Sequence, residues 1–190
     1  MTTRPPVTKG AVRGHYRGNH GVGAMIRKIV SGGQTGADRA ALDEALRAGV
    51  PHGGWVPRGR KAEDGPIPRR YRLKETPTGR YADRTERNVR EGDGTLIVSR
   101  GALTGGSLLT QGLARKHRRP CLHVDLGGER NVLEEARAVR AWTLKHGIEV
   151  LNVAGPRASN DSRIYDLTRA LLRAVISSER EREPIDSGEG

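Results

Sequence analysis

The run Ile29-Val30-Ser31-Gly32-Gly33-Gln34-Thr35-Gly36-Ala37-Asp38-Arg39 decides how this chain is read. A short β-branched stretch feeds two glycines, and an alanine-rich helical pattern follows at once. Glycine lets the backbone come close to a ligand, and a helix start offers unpaired N–H groups with a partial positive charge. Together they make a cradle for a phosphate or another oxyanion. The run is neither a Walker A loop, since no Gly-Lys-Ser/Thr follows, nor a G-x-G-x-x-G fingerprint. The competing reading is a tight turn with Thr35 as helix cap and Asp38 as an imperfect capping-box partner. Asp38, one turn into the helix, repels a nearby phosphate and suits a sugar hydroxyl or the amino group of a purine or pterin.

Outward from that run the pattern alternates. Residues 26–31 predict a strand, and residues 35–48 a helix with Ala41, Leu42, Ala45 and Leu46 inward, stopped by Gly49. A short strand is expected around residues 54–57, opening a long irregular loop through about residue 73. Helices are predicted over 81–91, 105–117, 131–146 and 161–177, and strands over 95–99, 121–125 and 148–154. Short aliphatic strands alternating with amphipathic helices imply βαβ units: an α/β chain with a mostly parallel central sheet covered on both sides, a three-layer sandwich. Ligands of such sheets lie beyond the carboxyl ends of the strands, where strand order reverses. The loops 32–36, 100–106 and 154–157 all fall at that end. The second of them, Thr104-Gly105-Gly106-Ser107, again follows a strand and opens a helix, so two such loops can clamp one ligand.

The chain has 190 residues and a net charge of +12. That length fits one domain with a real core, which must be aliphatic because Phe is absent. Residues 25–177 carry 28 basic and 17 acidic side chains, so the surplus belongs to the expected folded domain. Such a surplus favours anionic partners. Residues 1–24, with Pro5, Pro6, several glycines and no acid, read as a disordered extension, and Met25 as the true start. Residues 178–190 read as a frayed polar tail. One cysteine, Cys121, excludes an intramolecular disulfide framework and makes reducing cytoplasm the default location. No apolar run approaches the roughly 20 residues a membrane span needs, and no hydrophobic signal segment stands at the start.

The remaining candidates are less sharp. The segment 53–65 is too long for a simple connector, and loops beyond about 12–15 residues are usually functional or disordered. Arg58, Arg60 and Lys61 are expected to bring positive charge over the site, with Glu63 and Asp64 holding the loop through ion pairs; a solvated charge run is the alternative. Arg84 and Asn88, four apart on one helix, read as a polar surface face. Asn152 interrupts an apolar strand, and a buried amide needs partners. It is expected either to tie down the turn 155–157 or to touch ligand. Cys121 reads as an inert core residue. The six histidines and one cysteine show no metal-ligand spacing, and no nucleophile elbow or Cys–His signature is present. Binding is therefore better supported than catalysis.

Seven blocks in order carry a family resemblance. They are residues 29–43, Gly53-Gly54-Trp55, 59–65, 84–89, Asp93-Gly94-Thr95-Leu96-Ile97, Thr104-Gly105-Gly106 and 151–156. Over about residues 26–176 the chain resembles the circularly permuted YpsA-like proteins, the family named for molybdenum carriers. Val56, Gly92 and Ser107 depart from cysteine, serine and threonine frequent in relatives. The resemblance implies a Rossmann-like domain related to lysine-decarboxylase-like and DprA-like proteins. It implies a non-enzymatic homo-oligomer, dimer or tetramer, that binds the molybdenum cofactor (molybdopterin), protects it and hands it to apo-molybdoenzymes. That cofactor is an anionic, phosphorylated pterin. Carried onto this sequence, binding falls to Gly32, Gly33, Gln34, Thr35, Gly36 and Asp38, and to Gly105, Gly106 and Ser107, with Arg58, Arg60 and Asn152 as further candidates. No catalytic metal is expected.

Two other classes compete. One is a nucleotide-binding sensor or an enzyme related to the phosphoribohydrolases, whose glycine loop is followed by a catalytic glutamate. Residues 105–111 offer no acid here. The other is single-stranded nucleic-acid binding, which needs a basic groove with aromatic platforms; two Trp and four Tyr give it thin support.

Overall fold

A computed structural model describes residues 25–128 and 130–180. The extension 1–24 and residues 181–190 of the expected tail lie outside the described residues. The chain order is β1 (Lys28–Val30), α1 (Ala37–Ala48), β2 (His52–Gly53), β3 (Trp55–Val56), β4 (Lys61–Ala62), β5 (Gly65–Pro66), β6 (Lys74–Glu75), α2 (Tyr81–Glu91), β7 (Gly94–Ser99), α3 (Gly105–Lys116), β8 (Cys121–Asp125), α4 (Val132–His146), β9 (Val150–Ala154) and α5 (Ile164–Arg180).

Five strands form the central sheet in the order β2-β1-β9-β7-β8, every neighbouring pair parallel. Side chains alternate across it. On one face Ile29, Leu96, Val98, Leu151 and Val153 join residues of α1, α4 and α5 in the main aliphatic core. Burying each of these stabilises the fold by about 2 kcal/mol relative to exposure. On the other face, alongside Ile97, the strands carry buried polar residues. Thr95 and Asn152 stand opposite each other in register, and Asn152 Nδ2 donates to Thr95 Oγ1 at 3.1 Å. Helices α2 and α3 pack together as the second outer layer. The result is the three-layer α/β sandwich expected, with the sheet wholly parallel.

The chain leaves β1 outward to β2 and leaves β7 outward to β8, while β9 inserts between β1 and β7. Strand order therefore reverses at β1, β9 and β7, so the crevice lies beyond Val30, Ala154 and Ser99.

Local differences from the expected elements have local causes. Helix α1 starts at Ala37, with Gly36 rather than Thr35 at the cap (φ 75°) and no side-chain cap bond. The Thr35 hydroxyl instead donates to Glu63 and accepts the Ala158 N–H at 3.1 Å. The strand expected at 54–57 is β3, and β2 stands just before it, outside the expected range, with Gly54 at φ 127° between them. Helix α5 starts at Ile164, three residues later than expected, and runs on to Arg180, into the expected tail. Gly49 and Gly147 end α1 and α4 in the left-handed conformation, and Asn131 caps α4 by accepting the Leu133 N–H.

The long loop is ordered into two small sheets, β3 with β6 and β4 with β5. Leu42, Val56, Ile67 and Tyr71 form a second apolar cluster beneath it. Val56 is buried there, which gives it a packing role.

Candidate functional site

At the reversal point lies a cavity of about 970 Å³. The turn after β1 contributes Gln34 and Asp38, the start of α3 contributes Thr104, Gly105, Gly106 and Ser107, and the turn after β9 contributes Gly155 and Arg157. The two glycine turns and the loop 154–157 therefore meet in one place. Not all of their residues face it.

The α3 turn is the open one. Neither Gly105 nor Gly106 would bring a Cβ within 4 Å of any atom, and only Gly105 has a positive φ (48°). Thr104 caps α3 without a side-chain hydrogen bond. Among the described residues, the amide N–H groups of Gly105 and Gly106 make no backbone hydrogen bond outside the helix pattern, so the first turn of α3 offers free donors to the cavity.

The β1 turn is built differently. A Cβ on Gly32 would fall 1.5 Å from Arg84 Nη1, so the guanidinium of Arg84 lies against the bare glycine. Arg84 Nη1 donates to Asp38 Oδ2 at 3.0 Å, and Asp38 also accepts the Gln34 N–H at 3.3 Å. Burial pushes the Asp38 carboxyl up, against the opposing pull of Arg84. Gly33, at φ 71°, faces Ile67 and Leu73 of the second cluster. Gly36 faces the Pro156 carbonyl, which a Cβ would approach to 2.4 Å. Gln34 Oε1 accepts the N–H groups of Thr35 and Glu63.

Of the residues singled out from the sequence, Gln34, Asp38, Gly105, Gly106 and Ser107 line the cavity, and Gly32 lies directly behind Arg84 and Asp38. Gly33, Thr35 and Gly36 serve contacts within the protein, and Asn152 lies in the sheet with Thr95. Arg58 is exposed outside the cavity lining, its backbone N–H donating to Thr78 O. Arg60 donates to the carbonyls of Ile67, Pro68, Tyr71 and Leu73 and so organises the loop from within. The expectation of loop charge over the site is corrected: Arg58, Arg60 and Lys61 are absent from its lining, and the cavity's cations are Arg84, Arg100 and Arg157. The expected anchors do form, Asp64 pairing with Arg39 at 2.6 Å and Glu63 with Arg157 at 3.8 Å.

Arg84 and Asn88 are a second correction. Neither sits on a solvated face: Asn88 is 2% exposed and clips β3, accepting the Trp55 N–H at 2.7 Å and donating to its carbonyl at 3.0 Å. The usable signal was their position on a strongly polar helix that nevertheless has to cover a sheet face interrupted by Asn152.

Arg100 pairs with Asp161 at 3.3 Å. Behind it, Asp125 accepts the N–H groups of Gly101 (2.7 Å) and Gly127 (2.8 Å), and these bonds hold its carboxyl below the usual range. Ser99 Oγ donates to Gly101 O at 2.8 Å and stands 2.7 Å from His123 Nε2. Cys121 is half-buried, its thiol pushed up to about 11 by burial. Among the described residues no cluster of three or more His, Cys, Asp or Glu forms a metal site, and no helix is long and apolar enough to cross a membrane.

A wholly parallel sheet between two helical layers, with its crevice at the reversal of strand order, makes this a Rossmann-like α/β protein. Residues 29–176 match the model of the circularly permutated YpsA SLOG family, and the chain belongs to that family. It is similar to a solved structure from Syntrophus aciditrophicus SB described as "Putative molybdenum carrier protein", with 51% identity and a TM-score of 0.78 over 81% of this chain and 96% of that one. No curated protein matches the chain.

Proposed function

We propose that the cavity holds a phosphate-bearing anionic small molecule and that the protein is its carrier, with the molybdenum cofactor as cargo. The observation that carries this reading is Gly106. It lines the cavity, its φ does not require glycine, and a Cβ there would have no atom of another element within 4 Å. Glycine in that place keeps space and bare N–H groups for a ligand. Arg84, Arg100 and Arg157 line the cavity as charge-assisted donors for phosphate oxygens, each standing beside one carboxylate, Asp38, Asp161 and Glu63. Gln34 and Asp38 offer an amide and a carboxylate suited to the amino and ring nitrogens of a pterin. The name of the Syntrophus relative supports the choice of cargo. In the same reading Arg58, Arg60 and Asn152 act indirectly, through the loop and the sheet. Release to apo-molybdoenzymes from a cytoplasmic homo-oligomer completes the carrier role.

The test is mass spectrometry of small molecules retained by gently purified protein, repeated with Gly106→Asp. A phosphorylated pterin retained by the parent and lost from the folded variant is the expected result. Retention of a nucleotide instead overturns the choice of cargo and favours the nucleotide sensor. Retention of the same molecule by both proteins overturns the site.

A further inference from the structure

Helix α2 separates two concave surfaces. Tyr81, Arg84 and Thr85 look into the cavity just described. On its other side lies a groove of about 850 Å³ that shares no lining residue with the first and includes Trp55, Arg80, Arg87, Arg90, Arg118 and Arg119.

The groove's three carboxylates are already engaged. Asp83 pairs with Arg80 at 2.9 Å, Glu86 accepts from Lys116 at 2.8 Å and sits 2.7 Å from His117 Nε2, and Glu91 pairs with Lys28 at 2.6 Å while accepting from Trp55 Nε1 at 2.8 Å. Arg87, Arg90, Arg118 and Arg119 are exposed, and none of them pairs with a carboxylate among the described residues. Arg87 lies over the Trp55 ring with its guanidinium carbon 4.6 Å from the centroid, and both residues line the groove.

Cations at helix ends are ordinary, because the last carbonyls attract them. Arg119 fits that explanation, donating to the Arg90 carbonyl at 3.0 Å. Arg118 does not. It follows the cap of α3 at φ 53°, where glycine is favoured and an L side chain costs about 1 kcal/mol. A strained arginine whose side chain makes no hydrogen bond or ion pair among the described residues, in a groove lined by three other exposed arginines without a carboxylate partner there, is repelled by them until an anion enters.

We propose that this groove is a second anion site that takes a ligand carrying two or more phosphate groups. Guanidinium groups recognise phosphate oxygens through paired N–H donors. Adjacent phosphates are what several neighbouring arginines can neutralise together. Two sources have this chemistry, a free polyphosphate chain and the backbone of a single nucleic-acid strand. The inference stands apart from the carrier reading, since it uses no residue of the first cavity.

The test reads Trp55 fluorescence in a Trp142→Phe background, where Trp55 is the remaining tryptophan. Sodium tripolyphosphate and a short oligothymidylate are titrated separately at low salt. A response to tripolyphosphate alone identifies the free polyphosphate as the source, and a response to the oligonucleotide alone identifies the strand. If both respond, the tighter is the ligand class. Arg118→Gly relieves the strained backbone, so the variant keeps or raises its Tm while binding weakens about tenfold. For the oligonucleotide, the slope of log affinity against log salt also falls in magnitude by about one. Silence with both probes overturns the proposal, as does parental affinity in Arg118→Gly. Equal loss of binding in Gly106→Asp also overturns it, because the anion then sits in the first cavity.

Discussion

The guanidinium of Arg84 occupies the place where a Gly32 side chain would be, Nη1 lying 1.5 Å from the position of a Cβ, and from there it pairs with Asp38 at 3.0 Å. The bare glycine thus makes room for the protein's own cation, which stands between the β1 turn and the cavity. With Arg84 13% and Asp38 4% exposed at the side chain, the pair is nearly dry.

Removing one partner of such a pair leaves a buried charge alone. Arg84→Ala is expected to lower stability by about 3 kcal/mol in urea unfolding, and adding Asp38→Asn to recover much of the loss. The pH dependence has a definite sign. Burial already raises the folded Asp38 pKa above its ordinary 3.8, and losing Arg84 raises it further. A raised carboxyl binds its proton more tightly in the folded state, so the variant's deficit shrinks as pH falls toward that ordinary value. A deficit independent of pH contradicts this account.

The glycines divide into those the fold requires and those it does not. Gly36→Ala places a Cβ 2.4 Å from the Pro156 carbonyl at φ 75°, and Gly155→Ala places one 2.4 Å from the Val98 carbonyl. Each is expected to cost about 2 kcal/mol or more. Gly106→Ala meets nothing, and is expected to leave Tm unchanged or slightly higher while weakening ligand retention. Thermal melts set beside ligand retention check the contrast.

Arg60 holds four carbonyls of its own loop. Arg60→Ala is expected to cost about 2–3 kcal/mol and to open residues 57–73 to limited proteolysis. Arg60→Lys restores little, because an ammonium cannot reach four fixed acceptors at once. Rapid cleavage in the parent protein, or full rescue by lysine, counts against this role.

Asp125 provides the acid-side test. Its folded pKa lies below the ordinary 3.8 because two backbone N–H groups bond the ionised form. Its contribution is therefore complete above that value and lost as pH falls through the depressed folded value. Asp125→Asn is expected to be less stable at neutral pH and to lose less stability than the parent under acid. Parallel acid-unfolding curves for the two proteins are the adverse outcome.

Much of the framework was legible in the chain. Helix α2 and strand β8 fall where periodicity and punctuation put them, and Gly49 ends α1 as expected. Helix α1 begins two residues late because Thr35 bonds across the molecule to Glu63 and Ala158 rather than to its own helix. The site was legible in part. Gly105, Gly106 and Ser107 could be found because a strand-to-helix turn is local. Arg84 and Asn88 could not, because helical spacing says which residues share a face and not what that face meets.

The sequence by itself determined the alternation of strand and helix, the parallel sheet and the crevice end, since these follow from apolar period, glycine punctuation and short connections. Only the tertiary structure decided which cations line the cavity and which glycines stay open to it. Arg84 reaches Asp38 across 46 positions, and Thr35 reaches Ala158 across 123. A long polar side chain has many reachable partners, and packing between distant elements selects one of them.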